Sequence, residues 1–329
     1  MKLQSKASAP AKAILFGEHF VVYDRPAVVM AIDRRAYVTV KPMANDRITI
    51  ISRSIGASGT FTLNGEYQPI KGGWENEVKL RPIYSVAKSI LSQLGEKIGL
   101  MIEIDSAIPV AAGLGSSAAV SVASTAAISN LLELNLSKDN IFKVAYDAER
   151  VVHGNPSGVD PAISTYGGFL IYRKSEGIKR LNIEVDLPLI VGDTRVKRTT
   201  GEMVSRVGEL RRRYLRVMDK IMDAGETIAD LGVEALRNGD LRTLGELMNI
   251  NHALLYAIGV SNETIERLIN AARGAGALGA KLTGAGGGGC IIALSEMENA
   301  SRVAKAIENA GGKTFITRRT LEGVKVEEQ

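Results

Sequence analysis

The sequence holds little that would suit an oxidising compartment or a membrane. Only one of its 329 residues is cysteine, Cys290, so no disulfide framework can form and a reducing compartment fits. The longest apolar stretches are rich in alanine or interrupted by glycine, and none of them predicts a membrane span. No segment has the pattern of a signal peptide. The sequence therefore predicts a cytoplasmic protein with no membrane partner.

Aromatic residues and charge of one sign are also scarce. Aromatic residues make up 5% of the chain, and the formal net charge of +5 is spread along it. The densest basic cluster, residues 197–216, contains a single aromatic residue, Tyr214. Nucleic-acid surfaces usually combine a basic patch with a recognisable binding motif. We therefore predict no nucleic-acid partner, and an exposed helical face or an attraction toward polyanionic small molecules instead.

The chain has enough apolar residues to bury a sizeable core. It is 45% hydrophobic and 23% charged, and its length favours two domains. The composition changes near residue 186, where an apolar strand predicted at Leu187–Val191 leads into a long, charged, mainly helical stretch at 201–238. We therefore divide the chain into residues 1–185 and 186–329.

A loop rich in glycine and serine lies at the centre of the first part, within Ile108–Val120. A predicted strand, Leu100–Ile104, precedes it, and a predicted helix, Ala118–Leu132, follows it. This order is typical of an anion site, because glycines allow close backbone approach and the first helical N–H groups lack intrahelical partners. Ser116 and Ser117 are suited to cap the helix, donate to phosphate or ligate Mg²⁺. The loop is neither a Walker A nor a G-x-G-x-x-G motif.

Three polar residues near the start occupy unusual surroundings. Lys12 lies among small apolar residues, and burial there requires pairing with an anion. Glu18 and His19 follow Gly17 at the end of an apolar run, at the edge of a predicted strand. The alternative interpretation of these two residues is a salt bridge and a core histidine.

Two carboxylates come after the central loop. Glu149 lies near the end of a helix predicted over Ser137–Val152, where a negative charge opposes the helix dipole. Asp160 stands between two apolar residues and is a candidate general base. A surface pair with Arg150 and an Asx turn before Pro161 are the respective alternatives.

The segment Lys281–Cys290 contains five glycines within six residues, ahead of a predicted strand at Ile291–Leu294. Ordering so many glycines costs backbone entropy, so close approach of the backbone to another group is expected. A flexible linker is the alternative.

Taken together, these segments resemble the superfamily of galactokinase, homoserine kinase, mevalonate kinase and phosphomevalonate kinase. Pro10–His19, Pro109–Ala119 and Lys281–Cys290 are similar to its three motifs, in the same order. Within the superfamily, Gly17–Tyr23, Glu149–Asp160 and the third motif most resemble the mevalonate kinases. Ala111 and Ala112 stand where many relatives carry other small residues.

The resemblance implies a fold and a reaction. The fold would be α+β with two domains, the first like the second domain of ribosomal protein S5 and the second ferredoxin-like, with the active site in the cleft between them. The reaction would move the γ-phosphoryl group of ATP to the C5 hydroxyl of (R)-mevalonate, giving 5-phosphomevalonate and ADP, in the mevalonate pathway of isoprenoid biosynthesis. Family members often form homodimers.

The resemblance also implies roles for individual residues. Asp160 would be the catalytic base, with Lys12 beside it, and Ser117 and Glu149 would hold Mg²⁺. Substrate would contact Lys12, Glu18, His19, Asp160, Arg195, Thr283 and Gly284, with Arg195 pairing with its carboxylate and the third-motif glycines closing over it. The triphosphate would be bound by Pro109, Ala112, Gly113, Leu114, Gly115, Ser116, Ser117 and Ala118.

Other members of the superfamily are the alternatives. These are kinases of phosphomevalonate, homoserine, a sugar, or the 3-hydroxyl of mevalonate. A mevalonate diphosphate decarboxylase fits less well, because Glu149 matches the kinase pattern. A catalytically silent sensor or RNA-binding protein on the same fold has only the basic cluster in its favour.

Overall fold

The computed structural model describes residues 1–94, 98–109, 113–153, 157–197 and 200–328, with backbone only for 151–153. Its strands are β1 (Ser5–Phe16), β2 (Ala27–Met43), β3 (Ile48–Ser52), β4 (Ala57–Phe61), β5 (Tyr67–Lys71), β6 (Gly99–Ser106), β7 (Phe169–Arg173), β8 (Gly177–Leu181), β9 (Leu189–Asp193), β10 (Gly279–Thr283), β11 (Cys290–Leu294), β12 (Lys313–Thr317) and β13 (Lys325–Val326).

The helices lie between these strands. They are α1 (Glu77–Leu94), α2 (Ser116–Leu131), α3 (Lys138–His153), α4 (Val159–Tyr166), α5 (Thr200–Arg213), α6 (Leu215–Asn238), α7 (Leu241–Ala257), α8 (Glu263–Gly274) and α9 (Met297–Asn309), with short 3-10 turns at Phe20–Tyr23 and Trp74–Asn76. Within the described ranges, every helix is too short or too polar to span a lipid bilayer.

The first sheet has the order β13-β1-β2-β6-β3-β4-β5, and β7 and β8 extend it beside β2. The long strand β2 pairs with β1 along most of its length, with β7 at its start and with β6 at its end. Helix α2 packs on β1 and β2, and its small side chains are almost all buried. The sheet therefore brings the end of β1 close to the start of α2.

The second sheet has the order β10-β11-β9-β12, and its neighbouring strands are antiparallel. With the intervening helices this is the β-α-β-β-α-β arrangement of ferredoxin-like units. After β12 the chain returns to the first sheet, where Arg319 bridges to Ile32 and β13 pairs with β1.

A buried arginine fixes this return. Arg35 on β2 donates from Nε to Ser8 Oγ at 2.7 Å, and from its terminal nitrogens to the carbonyls of Glu322 at 3.2 Å and Gly323 at 2.6 Å. Residues 1–185 thus form most of the first sheet, and a strand from the far end of the chain completes it.

The predicted strands and helices are found with some changed limits. Helix α1 begins at Glu77 and contains Pro82. Proline has no backbone N–H, so the carbonyl of Val78 accepts no helical hydrogen bond from Pro82. Because Val78 is exposed, water can bond this carbonyl, and a proline in the second turn is tolerated. The stretch 201–238 is divided into two helices at Tyr214, whose φ of −127° and ψ of 48° are not helical.

Candidate active site

Lys12 and Asp160 form an ion pair where β1 faces the start of α4. Lys12 Nζ lies 3.1 Å from Asp160 Oδ1, and Lys12 is only 5% exposed. Asp160 is the second residue of α4, after Gly158 in a left-handed conformation with φ of 78°. The prediction that Lys12 is buried and paired with an anion is confirmed.

Gly115 lies against this ion pair. Its φ is 73°, and a Cβ atom there would be 2.9 Å from Lys12 Cγ and 3.6 Å from Asp160 Oδ2. The N–H of Lys12 donates to the carbonyl of Leu114 at 3.0 Å, which fixes the loop on β1. Only glycine fits this position, because both the left-handed backbone and the contact exclude a side chain.

The loop leads into α2, with Gly115 as its N-cap and Ser116 and Ser117 in its first turn. The interpretation of either serine as a plain N-cap residue is therefore wrong. Ser117 is exposed, whereas Leu114 and Ala118 are buried. Of the predicted phosphate-binding residues, Ala112 lies outside the described residues, and Pro109, Gly113 and the rest form the described part of the loop.

Glu149 on α3 has an unsatisfied carboxylate. Its Oε2 atom is buried and has no hydrogen-bond partner within the described ranges. Burial, with a contribution from nearby Asp160, raises the pKa of Glu149 from 4.5 to about 7, and Lys12 opposes the rise. A buried carboxylate oxygen with no partner fits a cation ligand. No cluster of three His, Cys, Asp or Glu side chains occurs in the described part of the chain, so further ligands would come from hydroxyls, water or phosphate.

Glu18 and His19 are both buried and hold contacts with the second half of the chain. Glu18 Oε1 accepts a hydrogen bond from Lys281 Nζ, and Glu18 Oε2 accepts one from Asn251 Nδ2 at 3.3 Å. His19 Nε2 lies 2.8 Å from the carbonyl oxygen of Ala285. These contacts match the salt bridge and core histidine of the alternative interpretation, yet both residues also line the cavity.

A cavity of about 710 Å³ connects these groups. Seven residues that the sequence predicted for the site line this cavity: Lys12, Glu18, His19, Gly113, Gly115, Asp160 and Gly284. Ser117 and Glu149 are outside this lining, as are Arg195 and Thr283. The structure thus assembles residues from all three motifs around one space.

Two predicted substrate ligands are placed differently. The side chain of Arg195 is exposed, its φ is 59°, and its N–H donates to Asp193 Oδ1 at 2.8 Å. Thr283 is fully buried, and its Oγ1 bonds both the N–H and the carbonyl of Ile14 at 3.1 Å. Thr283 therefore joins β10 to β1.

The glycines of the third motif pack against the protein itself. A Cβ atom at Gly286 would be 2.1 Å from the Val260 carbonyl oxygen, and one at Gly288 would be 2.5 Å from that of Val196. The expected close backbone approach is present, and the described contacts explain it without a ligand.

Several cavity residues had no motif to mark them. Tyr172, on β7, and Lys174, in the turn after β7, both line the cavity, and Lys174 has no ion-pair partner in the part of the chain that the structure describes. Tyr146 also lines the cavity, and Val21, Val22 and Val204 form an apolar wall. Nothing in the sequence indicated that these residues face the site.

A glycine loop at a helix N-terminus, over a paired lysine and aspartate in a cleft, defines a phosphotransferase of small molecules. The family model described as GHMP kinases N terminal domain matches residues 81–168, and that described as GHMP kinases C terminal matches residues 233–313. The predicted class of enzyme and its two-domain fold are confirmed.

The relatives of the chain are more specific. It is 43% identical to the mevalonate kinase of Pyrococcus abyssi over 333 residues, covering 98% of this chain and 97% of that one. It is 35% identical to the mevalonate kinase of Aeropyrum pernix over 329 residues, covering all of both. The chain belongs to the GHMP kinase family, and these full-length relatives are mevalonate kinases.

Solved structures agree. The crystal structure of L. major mevalonate kinase in complex with R-mevalonate matches with a TM-score of 0.85 at 27% identity, over 97% of this chain and 98% of that one. The Methanococcus jannaschii mevalonate kinase matches with a TM-score of 0.81 at 28% identity, over 96% and 98%.

Proposed function

We propose that this chain transfers the γ-phosphoryl group of ATP to the C5 hydroxyl of (R)-mevalonate. The observation that carries the proposal is the Lys12–Asp160 pair, 3.1 Å apart and directly under Gly115 of the glycine loop. The mevalonate kinases that match over the full length support the choice of substrate.

Asp160 would take the proton of the attacking hydroxyl. The new bond forms between that oxygen and the γ-phosphorus, while the bond from the γ-phosphorus to the β-bridging oxygen breaks and ADP leaves. Lys12, next to Asp160, would neutralise charge on the alkoxide and the transferred phosphoryl group. Phosphoryl transfer depends on such positioning and charge neutralisation more than on covalent help.

Glu149 and Ser117 are the residues that we propose to hold Mg²⁺. The unpartnered buried oxygen of Glu149 and the exposed hydroxyl of Ser117, in the first turn of α2, fit an ion that prefers oxygen ligands. When bound, Mg²⁺ would neutralise charge on the β- and γ-phosphates. The exposed first turn of α2 would receive the triphosphate.

The substrate carboxylate has two candidate partners. Arg195 stays our prediction from the family pattern. Lys174 is the stronger candidate on geometry, because it lines the cavity and Arg195 does not. The valine wall of the cavity suits the methyl group of mevalonate.

An ADP-release assay with Mg·ATP tests the proposal, with (R)-mevalonate, phosphomevalonate, homoserine and galactose as separate acceptors. We expect rapid turnover with mevalonate only, and phosphorus NMR of the product to show a C5 phosphate ester. Turnover of another acceptor in its place would overturn the substrate, and a phosphate on the 3-hydroxyl would overturn the position of transfer.

Two further properties stay predictions. A cytoplasmic location is consistent with the presence of a single cysteine, Cys290, which excludes a disulfide framework. A homodimer is expected from the family, and light scattering at micromolar concentration measures it directly.

A further inference from the structure

Lys281 is a fully buried cation that does not reach the cavity. It lies on β10 with 0% exposure. Its Nζ donates to Glu18 Oε1 and, at 2.9 Å, to the carbonyl oxygen of Leu282. Burial lowers the pKa of Lys281, and the facing Glu18 carboxylate opposes the fall. Such a buried ion pair requires explanation, because removing two charges from water is costly.

The Glu18 carboxylate is held from both sides by residues of the second half of the chain. Lys281 on β10 bonds one oxygen, and Asn251 on α7 bonds the other. Both partners are completely buried. The carboxylate therefore has a fixed orientation, set by groups that no substrate would touch.

This pair lies among other contacts at the same junction. Thr283 joins β10 to Ile14, and the Ala285 carbonyl accepts from His19. Ile14, Glu18, His19, Gly284 and Ala285 all line the cavity. The Lys281–Glu18 pair thus belongs to the junction between these two segments of the lining.

We infer that Lys281 is a positioning residue. By fixing the orientation of Glu18, it would hold Glu18 and His19 at the distance from the acceptor substrate that binding requires. The inference rests on the proposed function. Buried ion pairs contribute little net stability compared with apolar residues of similar size, but they fix one geometry through directed hydrogen bonds. Removal of Lys281 alone would therefore weaken binding of the acceptor in addition to the stability lost by leaving Glu18 buried without its cation. The phosphate loop lies elsewhere in the cavity, so binding of ATP would be spared.

Lys281→Met tests the inference, with KM and kcat measured separately for mevalonate and ATP at a temperature where the variant is folded. We expect KM for mevalonate to rise at least tenfold and KM for ATP to change less than threefold. Arg35→Met is the matched control, since it removes another buried cation that joins distant segments but lies outside the cavity lining. We expect it to lose stability with both KM values nearly unchanged.

Asn251→Leu provides a second variant if Lys281→Met does not fold. Asn251 Oδ1 is buried without a partner within the described ranges, so the change to leucine removes an unsatisfied atom as well as the bond to Glu18. We expect a threefold to tenfold rise in KM for mevalonate with little loss of stability.

Unchanged KM for mevalonate in either folded variant would overturn the positioning role. A parallel rise in KM for mevalonate and KM for ATP would also overturn it. An equal rise in KM for mevalonate in the control Arg35→Met would do the same. The proposed function is tested separately by the unsubstituted protein, because failure of that protein to phosphorylate mevalonate would overturn the substrate itself.

Discussion

Single residues decide the chemistry of this site, and the Lys12–Asp160 pair is the clearest case. Lys12 could be recognised in the sequence as a lysine among small apolar residues, which predicted burial and an anionic partner. The surroundings of Lys12 did not identify that anion. The family resemblance placed Lys12 beside Asp160, and the packing of α4 on β1 brings the two together.

Asp160→Asn should lower kcat by ~10²–10⁴, the usual contribution of a general base. The amide keeps the size of the side chain but cannot accept the hydroxyl proton. Steady-state kinetics with saturating substrates measure the loss. Asp147→Asn on the exposed face of α3 is the control and should keep full activity. A loss of only a few-fold in Asp160→Asn would show that Asp160 is not the base.

Glu149 should make the ligand-free protein less stable as the pH rises from about 4.5 to 7. Its pKa is raised to about 7 in the native state, so the native state binds the proton more tightly than the unfolded chain. Across this range the unfolded chain loses the proton while the native state keeps it, so the free energy of unfolding falls as the pH rises. Urea unfolding at pH 5 and pH 8 should show a smaller difference for Glu149→Gln than for the unsubstituted protein.

Glu246→Gln, at an exposed position on α7, is the control for that experiment. It should leave the dependence of stability on pH unchanged. If Glu149→Gln behaves in the same way as this control, the buried carboxylate does not titrate in the predicted range.

Lys174→Met should raise KM for mevalonate by about tenfold or more, because a cation facing the substrate carboxylate would be lost. Arg195→Met is its counterpart, since it removes a cation whose side chain is exposed outside the cavity lining. Kinetics with varied mevalonate compare the two variants. A larger rise in KM for mevalonate in Arg195→Met than in Lys174→Met would instead assign the substrate carboxylate to Arg195.

At the scale of elements, the sequence predicted the strand, loop and helix around residues 100–132, because their periodicity and glycines are local features. The residues alone predicted a close approach of the third-motif glycines to another group, and the family resemblance identified that group as a ligand. The structure places Gly286 and Gly288 against Val260 and Val196, since a close approach to backbone of the same chain requires glycine just as a phosphate does. Sequence alone does not distinguish the two causes.

Gly115→Ala should nearly abolish activity, because the new methyl group would meet Lys12 Cγ at 2.9 Å and displace the ion pair. Gly56→Ala is the matched control, as Gly56 also has a positive φ, 64°, but has open space around its Cα. Both variants should lose some stability, by about 1 kcal/mol from the backbone alone. Only Gly115→Ala should lose turnover, and equal turnover in the two would contradict the packing of the loop on Lys12.

At the scale of the molecule, the division into residues 1–185 and 186–329 describes two sheets, but it leaves out the return of the chain to the first sheet. The short strand β13 has only two paired residues, Lys325 and Val326, so its periodicity gave no signal. Its position depends on long-range contacts with β1 and Arg35.

Arg35→Met should lower the free energy of unfolding by roughly 2–3 kcal/mol, because hydrogen bonds from a charged group are lost and buried carbonyls are left without donors. Urea unfolding measures the change. Arg34→Met, beside it on β2 but partly exposed over Phe315, should cost less. Equal losses would show that the return of the chain contributes no special stability.

The return of the chain to the first sheet also decides when some contacts of that sheet can form during synthesis. Arg35 leaves the ribosome early, and its acceptor at Gly323 follows 288 residues later. For most of translation, one edge of β1, the strand that carries Lys12, is open. An open edge can pair with other chains. Until β13 has been made, the growing polypeptide therefore exposes a strand edge at which other chains can pair.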